Sequence, residues 1–179
     1  TEVATMRLVR ANPAIPVPEI YYFDTAHDLC DSDYFFMEKL IGDNYEHVKE
    51  SLPPAMQADI DRQIGAIVRE INGFTGTYFG YDGNPALRGA SWREAFIKIV
   101  DSVLEDGRRK DADFGYPIDE IQAAVLKHAP ALEAVTTPRL VHWDIWSSNI
   151  LAAPDHTGRW RITALLDPNC KYAHAEAEL

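Results

Sequence analysis

The stretch Leu140-Val141-His142-Trp143-Asp144-Ile145-Trp146-Ser147-Ser148-Asn149 constrains this chain more than any other. A short apolar run delivers His142 and Asp144, and Asn149 follows five residues after that aspartate. Ile150-Leu151 then leads to a polar break, Pro154-Asp155-His156-Thr157-Gly158, and a second β-like run over Ile162 to Leu166 ends in Asp167. Read as a hairpin, the two runs leave from Asn149 and return to Asp167, which places those two residues near one another. Singly, each residue has an ordinary reading: Asp and Asn form turns, and a histidine can sit in a core. The joint pattern of strand, His-x-Asp, Asn at plus five, hairpin, strand and Asp carries the signal.

Phosphoryl transfer from ATP needs this set of groups. One carboxylate accepts or orients the proton of the attacking hydroxyl, while an amide oxygen and a second carboxylate hold magnesium against the phosphates. Protein kinases carry His-Arg-Asp with an Asn five residues on, and a separate metal-binding Asp. By that reading Asp144 is the catalytic base, Asn149 and Asp167 bind Mg²⁺, and His142 braces the loop. Two rivals stand beside it. One is a non-catalytic nucleotide- or ligand-binding module that keeps the fold without turnover. The other is a metal-dependent hydrolase using His142, Asp144, Asp167 and His174, which needs both histidines on one ion; the kinase set offers only Asn and Asp oxygens, suited to a hard cation.

At this point the chain resembles the aminoglycoside phosphotransferase and fructosamine kinase group of small-molecule kinases. Asp144-Ile145-Trp146-Ser147-Ser148-Asn149 is similar to the Asp-Leu-Trp-Ser-Gly-Asn of fructosamine kinases, and Asp167-Pro168, Tyr172, His174, Glu176 and Glu178 echo the order after their metal aspartate. Glu2-Val3-Ala4, Ile15-Pro16-Val17-Pro18 and Phe35-Phe36-Met37-Glu38 look more like aminoglycoside phosphotransferases. The resemblance implies an α+β, protein-kinase-like fold: the remnant of a β-rich small lobe over residues 1–40, then a mainly helical large lobe over 41–179 carrying the catalytic hairpin. It implies ATP and Mg²⁺ as cofactors, with Met37, Glu38, Lys39 and Leu40 along the adenine edge and Glu2 facing an ATP-binding lysine. The acceptor it implies is a hydroxyl of a cationic, sugar-amine type small molecule, a ketosamine or an aminoglycoside, with Trp146, Tyr172, Glu176 and Glu178 as contacts. Trp143 departs from the family's usual glycine beside the catalytic aspartate. No GxGxxG occurs, and Lys39, Lys49 and Lys98 all follow the first helix. The expectation is therefore a chain truncated at both ends, inactive alone, with activity belonging to the full-length protein.

Composition narrows the partners. A net charge of −11 argues against nucleic acid and anionic membrane surfaces and suits a cationic substrate. Cys30 and Cys170 lie far apart without metal-ligand spacing, which fits a reducing cytoplasm. No signal peptide opens the chain and no apolar run reaches membrane-spanning length.

The remaining chain reads mainly as helix. Residues 2–11 show an apolar face, and Pro13, Pro16 and Pro18 force extended backbone before strands at 20–23 and 34–37. Ser51 to Asn72 places Met56, Ile60, Ile64, Ile67 and Ile71 on one face, and Asn72-Gly73 stops it. Gly73 to Gly89, with five glycines among aromatics, reads as a long surface loop. Ser91-Trp92-Arg93-Glu94 is a capping box, with Gly107-Arg108-Arg109-Lys110 ending its helix on charge that suits a helix C-terminus; Pro117 opens another; Ala173 to Leu179 looks helical.

Overall fold

The computed structural model describes residues 2–178. The chain divides into two compact units. The first comprises residues up to Phe74, His142–Cys170 and Glu178; the second comprises Thr75–Val141 and Lys171–Ala177.

In the first unit, α1 (Glu2–Val9) buries Val3, Thr5, Met6 and Val9. The proline-rich segment after it runs extended, and the Pro16 carbonyl accepts a hydrogen bond from Leu165 N–H at 2.8 Å. β1 (Ile20–Asp24) and β2 (Tyr34–Met37) pair antiparallel, Ile20 opposite Met37 and Asp24 opposite Tyr34. A second sheet runs β3 (Asp43–Asn44), β6 (Ile150–Pro154), β7 (Trp160–Leu165), so the expected hairpin forms. Its turn is organised by Asp155, whose Oδ1 accepts from Thr157 and Arg159 N–H. Those bonds, led by the Thr157 hydroxyl, hold the carboxyl below its usual range.

The helix α3 (Pro54–Ile71) packs on β7 and buries Ile60, Ile67 and Ile71, about 2 kcal/mol of transfer free energy for each fully buried isoleucine. Two side chains fix its register. Gln63 Nε2 donates to Trp160 C=O at 2.9 Å while its Oε1 accepts from Ile162 N–H at 3.0 Å, occupying β7 backbone groups. Asp59 takes both Arg159 nitrogens at 2.8 Å. The short α2 (Tyr45–Val48) is capped by Asn44, which accepts from Glu46 N–H and donates to the Ser148 carbonyl.

In the second unit, β4 (Gly80–Tyr81), β8 (Lys171–Ala173) and β5 (Arg139–Val141) form an antiparallel sheet in the order β4-β8-β5. Two helices, α4 (Trp92–Lys110) and α5 (Ile118–His128), pack together. The capping box is present: Ser91 Oγ accepts from Glu94 N–H, and Glu94 reaches back to Ala90 N–H rather than to Ser91.

One expectation is corrected here. Residues 73–89 are not a plain surface loop: Phe79 is buried, β4 lies within the segment, and Phe79 and Gly89 exchange two backbone hydrogen bonds. Gly80, at φ +108°, supplies the left-handed backbone that this turn needs. The basic stretch Arg108-Arg109-Lys110 ends α4 as expected, with Asp111 at φ 51° as the C-cap, while Gly107 is buried inside the helix, where a Cβ would overlap the Phe114 ring. The stretch from residue 173 is helical as expected, in 3₁₀ form over Ala175–Glu178 and after a strand, β8, that runs to Ala173, while Leu179 lies outside the described residues.

Candidate active site

Asn149 is the pivot. Its N–H donates to Trp146 C=O at 3.0 Å, closing the 3₁₀ turn Ser147–Asn149, and its C=O accepts from Leu166 N–H at 2.9 Å. The second bond extends the β6–β7 ladder by one step beyond the Ile150–Leu165 pair and sets Asp167 next in line. The side chain faces Asp144: Nδ2 donates to the Asp144 carbonyl and to Asp144 Oδ2, both at 3.0 Å. With its donor nitrogen so used, the amide keeps Oδ1 as its acceptor, for which no partner is found among the described residues. Asn149 is 8% exposed, whereas Asp144 and Asp167 are both exposed. A fixed amide thus stands beside the accessible Asp144 carboxylate, and the backbone of Asn149 is bonded to the residue before Asp167.

His142 is 2% exposed, and neither ring nitrogen closes a hydrogen bond of good geometry. Burial lowers its pKa from 6.5 to about 4, against the opposing charges of Asp144 and Asp167 and the polar Leu166 backbone beside it. The ring is therefore neutral at physiological pH and acts as packing under the loop. The sign of the resulting pH dependence follows from linkage. Below pH 6.5 the unfolded chain takes up a proton that the folded chain refuses until near pH 4. The stabilisation is fully present above pH 6.5 and is lost as pH falls through that window, by about 3 kcal/mol. Urea unfolding of wild type and His142→Leu at pH 7 and pH 4.5 should show this loss in wild type only, over and above the carboxylate contribution common to both.

Trp143 sits at φ 67° and Asp167 at φ 52°. A left-handed conformation costs a bulky L-residue roughly 1 kcal/mol or more, which explains why a glycine suits the position before the aspartate. Comparing Trp143→Gly with Trp143→Ala isolates the backbone cost, because both lose the ring. The glycine variant should be the more stable by about 1 kcal/mol in denaturant unfolding.

The loop is also held from the far end of the chain. Glu178 accepts from His142 N–H at 2.5 Å through Oε2 and from Trp143 N–H at 2.8 Å through Oε1. Sequence reasoning placed Glu178 among substrate contacts; in the structure both carboxylate oxygens are engaged on the backbone beside Asp144. No local signal could have found this, since the partners lie 36 and 35 residues apart.

The other expected site residues fall in several places. Glu2 is half-buried, and burial first, then the charge of Asp167, raises its carboxyl pKa, so Glu2 and Asp167 lie within each other's field. Glu38 N–H donates to Glu19 C=O at 2.8 Å and Glu38 Oε2 accepts from Glu19 N–H at 3.2 Å, with Arg10 at 3.7 Å. Glu38 and Leu40 line a cavity of about 390 Å³ together with Arg10, Val17 and Thr163, while Met37 and Lys39 are exposed. Trp146 stands 57% exposed beside Asp144. Tyr172 and Glu176 belong to the second unit, where Tyr172 packs edge-on against Tyr78 at 5.5 Å and the Glu176 side chain is 79% exposed near His174. Among the described residues, no group of three or more His, Cys, Asp or Glu side chains is arranged to hold a metal ion.

The sequence profile of the phosphotransferase enzyme family matches residues 1–171, and the chain belongs to that family. No curated protein matches it by sequence. Among solved structures, it is similar to a thermostable mutant of aminoglycoside phosphotransferase APH(4)-Ia in ternary complex with ADP and hygromycin B, with 18% identity and a TM-score of 0.61 over 99% of this chain. Two further mutants of that enzyme, each in complex with AMP-PNP and hygromycin B, match at 19% identity with TM-scores of 0.62 and 0.63 over 98% of the chain. This likeness shows that the fold is the α+β, kinase-like fold of those enzymes. The chain spans 58–59% of their length. No helix among the described residues is long and apolar enough to cross a membrane.

Proposed function

We propose that this chain carries the catalytic loop and metal-binding strand end of an ATP- and Mg²⁺-dependent small-molecule kinase, which moves the γ-phosphoryl group to a hydroxyl of a sugar-amine type acceptor in the cytoplasm. The observation that carries the reading is the double engagement of Asn149, by its side chain with Asp144 and by its carbonyl with Leu166, next to Asp167. Asp144 accepts the acceptor's proton, held in orientation by the Asn149 amide. His142 stays neutral and Glu178 fixes the backbone, so the base does not have to reorganise as the bond forms. The donor set fits the metal: Asn149 Oδ1 is directed away from its bonded nitrogen and Asp167 offers an exposed carboxylate, both hard oxygen ligands. Bound there, Mg²⁺ supplies charge neutralisation on the phosphate oxygens. Met37 to Leu40 meet the adenine edge, and Glu2 meets the ATP-binding lysine of the whole protein.

The relatives bound to hygromycin B support an aminoglycoside acceptor, while Asp144-Ile145-Trp146-Ser147-Ser148-Asn149 supports a ketosamine. Full-length protein incubated with Mg²⁺ and ATP against a panel of both classes decides between them. Phosphorylation of one member selects the branch. Nucleotide binding without turnover on any member would replace the enzyme with a binding module, and neither binding nor turnover would overturn the reading.

A further inference from the structure

The chain leading into α2 lies close against the β6–β7 hairpin. At Gly42, φ +156°, a Cβ would fall 2.5 Å from Thr163 Oγ1 and 3.2 Å from Ala152 N, so a side chain there would push the two apart. β3 follows at once, with Asn44 opposite Leu151 on β6, the strand that opens directly after Asn149. From this position the Asn44 side chain makes two bonds. Its Oδ1 accepts from Glu46 N–H at 3.0 Å and caps α2, while its Nδ2 donates to the Ser148 carbonyl at 2.7 Å, across 104 residues of sequence. Each end of the amide has a partner of the right kind, which fixes its orientation. The Ser147 hydroxyl adds a second tie by donating to the Glu46 carboxylate.

The Ser148 carbonyl shares a peptide plane with Asn149 N–H, which donates to Trp146 C=O at 3.0 Å. That plane is held on both edges, by Asn44 on one and by the 3₁₀ turn on the other. The following plane is held as well, because Leu166 N–H donates to the Asn149 carbonyl at 2.9 Å. With both flanking planes fixed, the backbone dihedrals of Asn149 are set, and the direction of its side chain with them. Capping α2 needs only an acceptor at position 44, which Asp or Ser supplies about as well as Asn. The Nδ2 donor is not needed by the cap, and it is used on the loop.

We propose that Asn44 is a positioning residue that acts through Asn149: by fixing the Ser148–Asn149 peptide, it sets where Asn149 Oδ1 stands as a metal ligand. The inference rests on the kinase reading, which makes Asn149 a Mg²⁺ ligand, and adds to it a residue from the segment that follows Leu40.

Asn44→Asp and Asn44→Ser both keep an acceptor for Glu46 N–H and remove the amide donor. Mn²⁺ serves as the probe of the metal site, followed by electron paramagnetic resonance in full-length protein held in excess over AMP-PNP. Its binding should be about tenfold weaker in each variant than in wild type, an effect typical of losing a residue that orients a metal ligand. Amide hydrogen exchange separates the tie from the cap. Exchange at Asn149 should be faster by about tenfold, while exchange at Glu46 stays within about twofold of wild type. Unchanged Mn²⁺ affinity in both variants would overturn the proposal and leave the kinase reading standing. Unchanged exchange at Asn149 would also overturn it, as would equally faster exchange at Glu46, since loss of the cap would then account for the effect. Wild-type protein that binds no Mn²⁺ with AMP-PNP would overturn the kinase reading and this inference together.

Discussion

Asp144→Asn in the full-length protein should lower kcat by about 1,000-fold while nucleotide affinity stays within about twofold. The substitution is nearly isosteric, and the new amide oxygen can still accept from Asn149 Nδ2, which now bonds Asp144 Oδ2 and the Asp144 carbonyl at 3.0 Å. The loop geometry therefore survives and only the base is lost. Steady-state kinetics with saturating acceptor, beside calorimetric nucleotide binding, separates the two effects. A fall of less than about tenfold would mean that Asp144 does not take the acceptor's proton, because general-base contributions of about 100-fold or more are typical.

The second large effect is expected at Glu178. Its carboxylate takes the backbone N–H groups of both His142 and Trp143, and hydrogen bonds to a charged acceptor contribute about 1.5–3 kcal/mol each. Glu178→Ala removes the carboxylate that both of these N–H groups beside Asp144 bond. A loss of about 2–4 kcal/mol in unfolding free energy is expected, together with a fall of about 10- to 100-fold in kcat as Asp144 loses its fixed support. Glu178→Gln keeps one acceptor oxygen and should recover part of both. Hydrogen exchange at the His142 and Trp143 amides provides a readout that a substrate-contact role would not move: both should exchange faster in Glu178→Ala than in wild type. Unchanged exchange, with the KM for the acceptor raised instead, would return Glu178 to the substrate surface.

The parts of the fold that were legible in the sequence are those whose signal is local. The α3 face is written in residues three and four apart, and the hairpin is written in two apolar runs around Pro154–Gly158, with Asp155 organising the turn. Because the hairpin sets Asn149 and Leu166 opposite each other, the spacing from Asp144 to Asn149 and from Asn149 to Asp167 becomes a geometric statement about one site. What was not legible depends on partners far away in sequence. The two-residue β4 has no periodicity to detect, and it exists because β8 pairs with it some ninety residues later. Lys171 looks like a surface residue from its charge, yet it is fully buried and donates to the Tyr81 hydroxyl at 2.6 Å. Gly107 carries no local sign of its burial, yet the Phe114 ring occupies the space its missing side chain leaves. The left-handed backbone at Trp143 was visible only as a departure from the family's glycine, without its reason.

The most direct test of the central claim follows the labelled γ-phosphoryl group of ATP in the full-length protein with Mg²⁺ and each acceptor of the panel, for wild type and for Asp144→Asn. The account predicts that one acceptor receives the label as a phosphate ester in step with ADP formation, and that the transfer collapses in the variant. Label that stays on ATP with every acceptor while the nucleotide is bound, or transfer that persists undiminished without the Asp144 carboxylate, would contradict it.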